Sequence, residues 1–190
     1  MDSLFHWFDL IGVAVFAISG TLVAYRKKLD GFGVVVLASV TAIGGGTVRD
    51  VILDAPVFWL QDQSYLYSVF VAAFITIVWV NKNKDFPQIA LEVADALGLA
   101  FFVVMGVQKA LDYGVQDMTA VLMGTITCCF GGMIRDVICN VIPMILRQEI
   151  YATAAILGGG LFALFQYLGW PDNLSLISAI LSALALRLAA

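Results

Sequence analysis

Two short stretches hold the residues with chemistry to offer: "AIGGGTVRD" at residues 42–50 and "CFGGMIRD" at residues 129–136. Each places glycines, which weaken a helix, a few residues before an adjacent arginine and aspartate, in otherwise apolar sequence. Charged residues at membrane depth are rare and face a protein interior or a wet cavity. Glycines there either let two helices pack closely or interrupt a helix, and an interruption frees carbonyls that suit a cation and amides that suit a carboxylate. The matching register of the two clusters predicts kinks at Gly44, Gly45 and Gly46 and at Gly131 and Gly132.

Arg49 and Asp50 are adjacent, as are Arg135 and Asp136, so neither pair has the i,i+4 spacing of a helical ion pair. A twofold relation between the two motifs predicts that Arg49 approaches Asp136 while Asp50 approaches Arg135. The alternative is an arginine that snorkels to a mouth. Thr41 and Thr127, one turn before the glycines, can bond back to a helix carbonyl and favour a bend, or line a path. Asp9 and Asp95 stand near the starts of apolar segments, where they read as interfacial caps. In "IPMILRQEIYATA", Pro143 ends or bends a helix, while Arg147 and Glu149 precede the next apolar segment; they read as a hinge first and a gate second.

The elements that must position these residues are transmembrane helices. The 190 residues are 62% hydrophobic and 13% charged, with a mean hydropathy of +0.96. A soluble domain of this size has too little interior for so much apolar surface. Seven segments are long enough to cross about 30 Å of hydrocarbon: 5–24, 33–53, 64–81, 89–110, 118–138, 150–168 and 172–189. The first reads as a retained helix rather than a signal peptide, since it lacks a basic leader and a cleavage site. Cys128, Cys129 and Cys139 have no second cluster and one lone histidine, His6, beside them in the composition, so they read as small apolar packing.

The loops after the first, third and fifth segments, with the C-terminal end, carry seven bases: Arg26, Lys27, Lys28, Lys82, Lys84, Arg147 and Arg187. The opposite side carries Lys109 alone. The basic side is expected to be cytoplasmic and the N-terminus outside. Leaving aside the two Arg-Asp pairs, the outer side has one base against seven acids, a net of −6, and the inner side a net of +2. A negative outer mouth concentrates cations.

The chain also repeats itself. A shift of 86 residues lays "FDLIGVAVFAISGTLVA" on "ADALGLAFFVVMGVQKA" and gives 14 identities in the 45 positions from Phe8 to Ile52, without a gap. Gly45, Gly46, Arg49 and Asp50 fall on Gly131, Gly132, Arg135 and Asp136, and Asp9 falls on Asp95. Each copy holds three segments, and an odd number turns the second copy over. The expected architecture is one all-α transmembrane domain, residues 1–190, with repeat one at 5–81, an inverted repeat two at 89–168 and a seventh helix at 172–189. Inverted repeats of this kind are typical of proteins that move solutes.

At these motifs the sequence resembles the bacterial trimeric intracellular cation (TRIC) channels, a family also described as glycine transporters. "FDLIGVAVFAISG", "TAIGGGTVRD", "GGMIRDVI" and "IPMILRQEIYATA" stand in the family's order across nearly the whole chain. The resemblance implies a homotrimer in a bacterial inner membrane, each protomer with its own pore lined by glycine-kinked second and fifth helices. It implies potassium as the permeant ion, with sodium less favoured, and no cofactor. Phe130 stands where the second motif would match Gly44, a departure that bears on pore symmetry. The Lys-Glu-Val signature of animal members is absent, and their lipid and calcium regulation is not carried over.

The functional expectation is a passive monovalent cation channel. A secondary transporter for glycine or a similar small zwitterion is the alternative, because an arginine with an aspartate suits a carboxylate and an ammonium. No H-E-x-x-H, G-x-S-x-G or metal-spaced cysteine motif supports an enzyme, and nothing points to nucleic acid.

Overall fold

The computed structural model describes residues 2–82, 88–147 and 149–189, leaving aside the side chains of residues 2–4, 88 and 149. The described chain is helical throughout its long elements: α1 (Asp2–Arg26), α2 (Gly31–Ile52), the short α3 (Phe58–Gln61), α4 (Ser64–Lys82), α5 (Gln88–Asp112), α6 (Asp117–Ile138), α7 (Glu149–Tyr167) and α8 (Asp172–Leu188). A single 3-10 turn, Met144–Leu146, links α6 to α7. Six of the described helices (α1, α2, α4, α5, α6 and α7) are long and apolar enough to cross a membrane. With 17 residues, α8 is shorter.

The helix ends follow local chemistry. Asp30 caps α2 by accepting a hydrogen bond from the Gly33 amide at 2.7 Å. Gly114 and Gly169, at φ 76° and 72°, provide the left-handed residues that end α5 and α7. Asp54 and Asn140, 86 residues apart, take the same conformation after α2 and α6, at φ 52° and 53°. The backbone closes behind them in matching fashion, Ala55 N to Asp50 O and Val141 N to Asp136 O, both at 2.8 Å. Aspartate and asparagine are the residues besides glycine that enter this region most readily.

Packing centres on α1, α2, α5 and α6. The rings of Phe16 and Phe102, repeat mates on α1 and α5, stack with centroids 5.2 Å apart, amid Val13, Ala17, Leu99 and Val103. On α4, Phe70, Val71, Phe74 and Ile75 are exposed, an apolar face suited to lipid.

The glycines do not interrupt the two helices. Both α2 and α6 run as uninterrupted α-helix through Gly44–Gly46 and Gly131–Gly132. The glycines permit close approach instead. A side-chain carbon on Gly45 would collide with the carbonyl oxygen of Thr127, and one on Gly131 with that of Thr41. Because residue 45 meets 127 and 131 meets 41, α2 and α6 cross antiparallel with backbones in contact.

Candidate functional site

The crossing register explains the first property of the site. Arg49 stands four residues beyond Gly45, whereas Asp136 stands nine beyond Thr127, in the antiparallel direction. Thirteen residues of offset at 1.5 Å per residue separate the two by about 20 Å along the helices. The expected pairs Arg49 with Asp136 and Asp50 with Arg135 are therefore not formed. Each arginine turns onto its own neighbour: Arg49 Nε donates to Asp50 Oδ1 at 2.8 Å, and Arg135 Nε donates to Asp136 Oδ1 at 2.8 Å. The second oxygen of each aspartate accepts from the backbone of the segment that follows, Asp50 Oδ2 from Phe58 N at 2.9 Å and Asp136 Oδ2 from Met144 N at 3.3 Å. Phe58 and Met144 are again 86 residues apart. The four charged residues are at most 5% exposed, so their charge is met within the protein.

Beyond this shared core the two clusters differ. Arg135 forks onto Asp95 of α5, Nη1 to Oδ1 at 2.6 Å and Nη2 to Oδ2 at 3.0 Å. Ser19 of α1 closes the network, donating to Asp95 Oδ1 at 2.5 Å and accepting from Arg135 Nη1. Around Arg135, Asp136, Pro143, Met144 and Tyr151 only about 10 Å³ of space remains. Asp95 is wholly buried in the interior of α5, so it is an ion-pair partner and not the cap expected from the sequence.

Arg49 has no such fork onto Asp9, the repeat mate of Asp95. Its partner Asp50 Oδ1 also receives Lys109 Nζ at 2.9 Å, and the repeat mate of Ser19 is Met105. Asp9 Oδ2 accepts the Tyr65 hydroxyl at 3.0 Å, while Asp9 Oδ1 and Gln108 Oε1 are buried acceptors without a hydrogen-bond partner. Asp9 lies within α1 rather than at its end, so it too is not the expected cap. These groups line a cavity of about 470 Å³ with His6, Phe58, Asp112, Tyr113 and Asp172. Asp112 and Asp172 are two of the seven acids on the outer, acidic side.

The remaining expected residues are placed as follows. Thr41 and Thr127 bond back to Leu37 O and Met123 O, both at 2.6 Å. Gly44 faces Ile134, and Gly46 lies under the Phe58 ring, where an added carbon would come within 2.6 Å. Gly132 has Arg135 and Tyr151 as its nearest neighbours. Phe130 is partly buried on α6. Pro143 begins the 3-10 turn and Arg147 ends it, exposed; the side chain of Glu149 lies outside the described residues. Cys128, Cys129 and Cys139 are free and buried, and no cluster able to hold a metal occurs among the described residues. The reading from sequence missed Ser19, Tyr65, Gln108 and Lys109, although the repeat gave a signal for two of them, as the positions matching Met105 and Tyr151.

Comparison with known proteins places this arrangement. The sequence model of a family described as glycine transporter matches twice, at residues 6–81 and 92–167. A UPF0126 membrane protein of Vibrio cholerae is 49% identical over 189 residues, 99% of this chain and 79% of the relative. The UPF0126 inner membrane protein YadS of Escherichia coli is 48% identical, over 98% of this chain and 91% of its own. Among solved structures, a TRIC trimeric intracellular cation channel orthologue from Rhodobacter sphaeroides superposes with a TM-score of 0.92 at 37% identity, covering 98% of this chain and 96% of that one. A prokaryotic TRIC channel in 0.5 M KCl gives 0.88 at 34% identity, covering 100% and 96%. These neighbours are channels and not enzymes. The helices, the doubled motif and these likenesses establish a multi-pass membrane protein of the glycine transporter family, which shares the fold of the bacterial TRIC cation channels.

Proposed function

We propose that this protein is a passive channel for monovalent cations, potassium before sodium, that works as a homotrimer in a bacterial inner membrane with one path per protomer. The observation that carries this reading is the near-complete likeness to TRIC cation channels, joined to a roomy cavity at the acidic end of the bundle. We read the two family matches as inverted three-helix repeats and α8 as a seventh span, with the N-terminus outside. In support, the start of α1 and the end of α5 line the same cavity.

The path enters by the cavity at Asp9, passes Arg49 and meets the α2–α6 crossing. Backbone contact shuts that crossing here, so conduction requires α2 and α6 to part or bend at their glycines. Selectivity falls to carbonyls, hydroxyls and the negative mouth, because each arginine is neutralised by aspartate.

Transport of glycine or a similar zwitterion is the second reading. It is favoured by the family description and by one open and one closed cluster, the asymmetry expected of two halves that rock about a site. Purified protein in a planar bilayer under a potassium gradient separates the two. Unitary currents that reverse near the potassium potential, unaltered by glycine, support the channel. A silent bilayer with saturable glycine uptake into vesicles overturns it in favour of the carrier.

A further inference from the structure

A chain of polar groups runs from the acidic mouth to Asp9, at the entrance of the path described above. Asp62, between α3 and α4, stands 3.6 Å from His6 Nε2. His6 Nδ1 is 3.3 Å from the Tyr65 hydroxyl, which donates to Asp9 Oδ2 at 3.0 Å. With the tyrosine proton donated to Asp9, its oxygen is free to accept from His6 Nδ1 in the tautomer protonated there, and the other ring nitrogen, Nε2, is the one on the Asp62 side. The Ser64 amide holds Asp62 below the usual carboxylate range, so the outer end of the chain stays anionic.

The inner end has an unusual charge balance. Arg49 of α2 and Lys109 of α5 face Asp9, but both are bonded to Asp50. Asp112 and Tyr113 of α5, Tyr65 of α4, His6 of α1 and Asp172 of α8 complete the charged and titratable surroundings. Among the described residues no base lies within ion-pair distance of Asp9. A buried carboxylate in that position is relieved by a proton or by a cation beside it. Gln108 Oε1, the second unpartnered buried acceptor on the cavity wall, adds to the demand for a donor or a cation.

We infer that Asp62, His6, Tyr65 and Asp9 form a proton path from the mouth into the cavity, and that a proton on Asp9 and a monovalent cation in the cavity exclude each other. In the relay a proton binds His6 Nε2, the Nδ1 proton passes to the Tyr65 oxygen, and the tyrosine's own proton passes to Asp9 Oδ2. One proton enters and one arrives, leaving His6 neutral in its other tautomer. The cation is either a bare ion or the ammonium group of a zwitterion. The other cluster has no counterpart: Glu92 replaces His6, and Asp95 is already neutralised by Arg135. The inference deepens the transport reading by giving its site a proton linkage, and it rests on that reading only for the identity of the cation.

Infrared pH titration of the purified protein in lipid nanodiscs, with N-methylglucamine as the sole added cation, reads the carboxyl directly. Wild type should show a protonated-carboxyl C=O band that fades as pH rises and is missing in Asp9→Asn. Adding potassium should diminish the band and release protons into a weakly buffered medium; if glycine does so and potassium does not, the cation is an ammonium group. Tyr65→Phe should retain the band but slow its decay after a pH jump by at least about tenfold. An unchanged band in Asp9→Asn, or one indifferent to both solutes, overturns the inference. Planar-bilayer currents test the channel reading separately: a conducting wild type without the band sinks the proton linkage alone, and a silent wild type whose band answers to glycine sinks the channel alone.

Discussion

The clusters around Arg49 and Arg135 are built on the same motif and end in different states. Both have an arginine folded onto the next aspartate and a cap onto the segment eight residues later. One then closes through Asp95 and Ser19, and the other leaves Asp9 beside a cavity. The difference traces to few positions: Ser19 against Met105, Val23 against Lys109, and Glu92 against His6. A hydroxyl bridges arginine to the distant carboxylate in one half, and in the other a methionine removes the bridge while a lysine competes for the near carboxylate. A repeated motif thus fixes the frame, and its neighbours decide whether the arginine closes on the distant carboxylate or leaves it beside a cavity.

The largest effect that tests this contrast concerns the two distant aspartates. Asp95→Ala strips Arg135 of its fork in a dry site and should cost about 3–5 kcal/mol, whereas Asp9→Ala gives up one tyrosine hydrogen bond and should cost about 1 kcal/mol. Thermal unfolding in detergent compares them, and equal losses would mean that Asp9 is ion-paired after all. Next, Gly45→Ala and Gly131→Ala push a carbon into facing backbone and should each cost about 3 kcal/mol or more, with folded yield and flux falling together. Gly132→Ala, whose added carbon comes no closer than 3.7 Å to Arg135, should be neutral or stabilising by up to about 1 kcal/mol, since alanine is the better helix former. If it instead abolishes flux at normal yield, the glycines serve a bend that forms on opening.

Smaller effects sharpen the comparison. Ser19→Ala should lose about 1.5–3 kcal/mol, the worth of a hydrogen bond to charged groups, while Met105→Leu at the matching position should stay below about 1.5 kcal/mol. The smallest change in stability is expected for Lys109→Ala, at about 1 kcal/mol or less, since Asp50 keeps Arg49 and the Phe58 amide. Its effect on flux should be plainer. Removing a positive charge from the cavity should raise unitary cation current at low ionic strength and lose that advantage at high salt.

The long helices were legible because lipid solvation writes length and hydropathy directly into sequence: the expected 64–81 and 118–138 differ from α4 and α6 by a residue at most. The 86-residue shift was legible for the same reason, since charged residues matched at one offset inside apolar sequence are hard to mistake. Partner choice was not. A twofold relation between the motifs predicts Arg49 beside Asp136, but their separation depends on where α2 and α6 cross, which only the glycine and carbonyl contacts reveal. The short α3 escaped because four residues carry no periodicity; it exists where Asp50 accepts the Phe58 amide, a contact set by tertiary structure. Glycine serves either a bend or the close approach of a neighbouring helix, and composition alone does not tell these uses apart.

The Gly45–Thr127 and Gly131–Thr41 contacts have a consequence for ancestry. Each half offers a glycine to the other's carbonyl and a carbonyl to the other's glycine, so the crossing is isologous, as in a symmetric dimer of identical subunits. Such a joint needs no co-adapted side chains. Two identical halves set antiparallel would meet through this same contact, as they would on duplication and fusion of one half. Divergence at Ser19, Met105 and Lys109 could then make the two ends unlike without disturbing the seam that joins them.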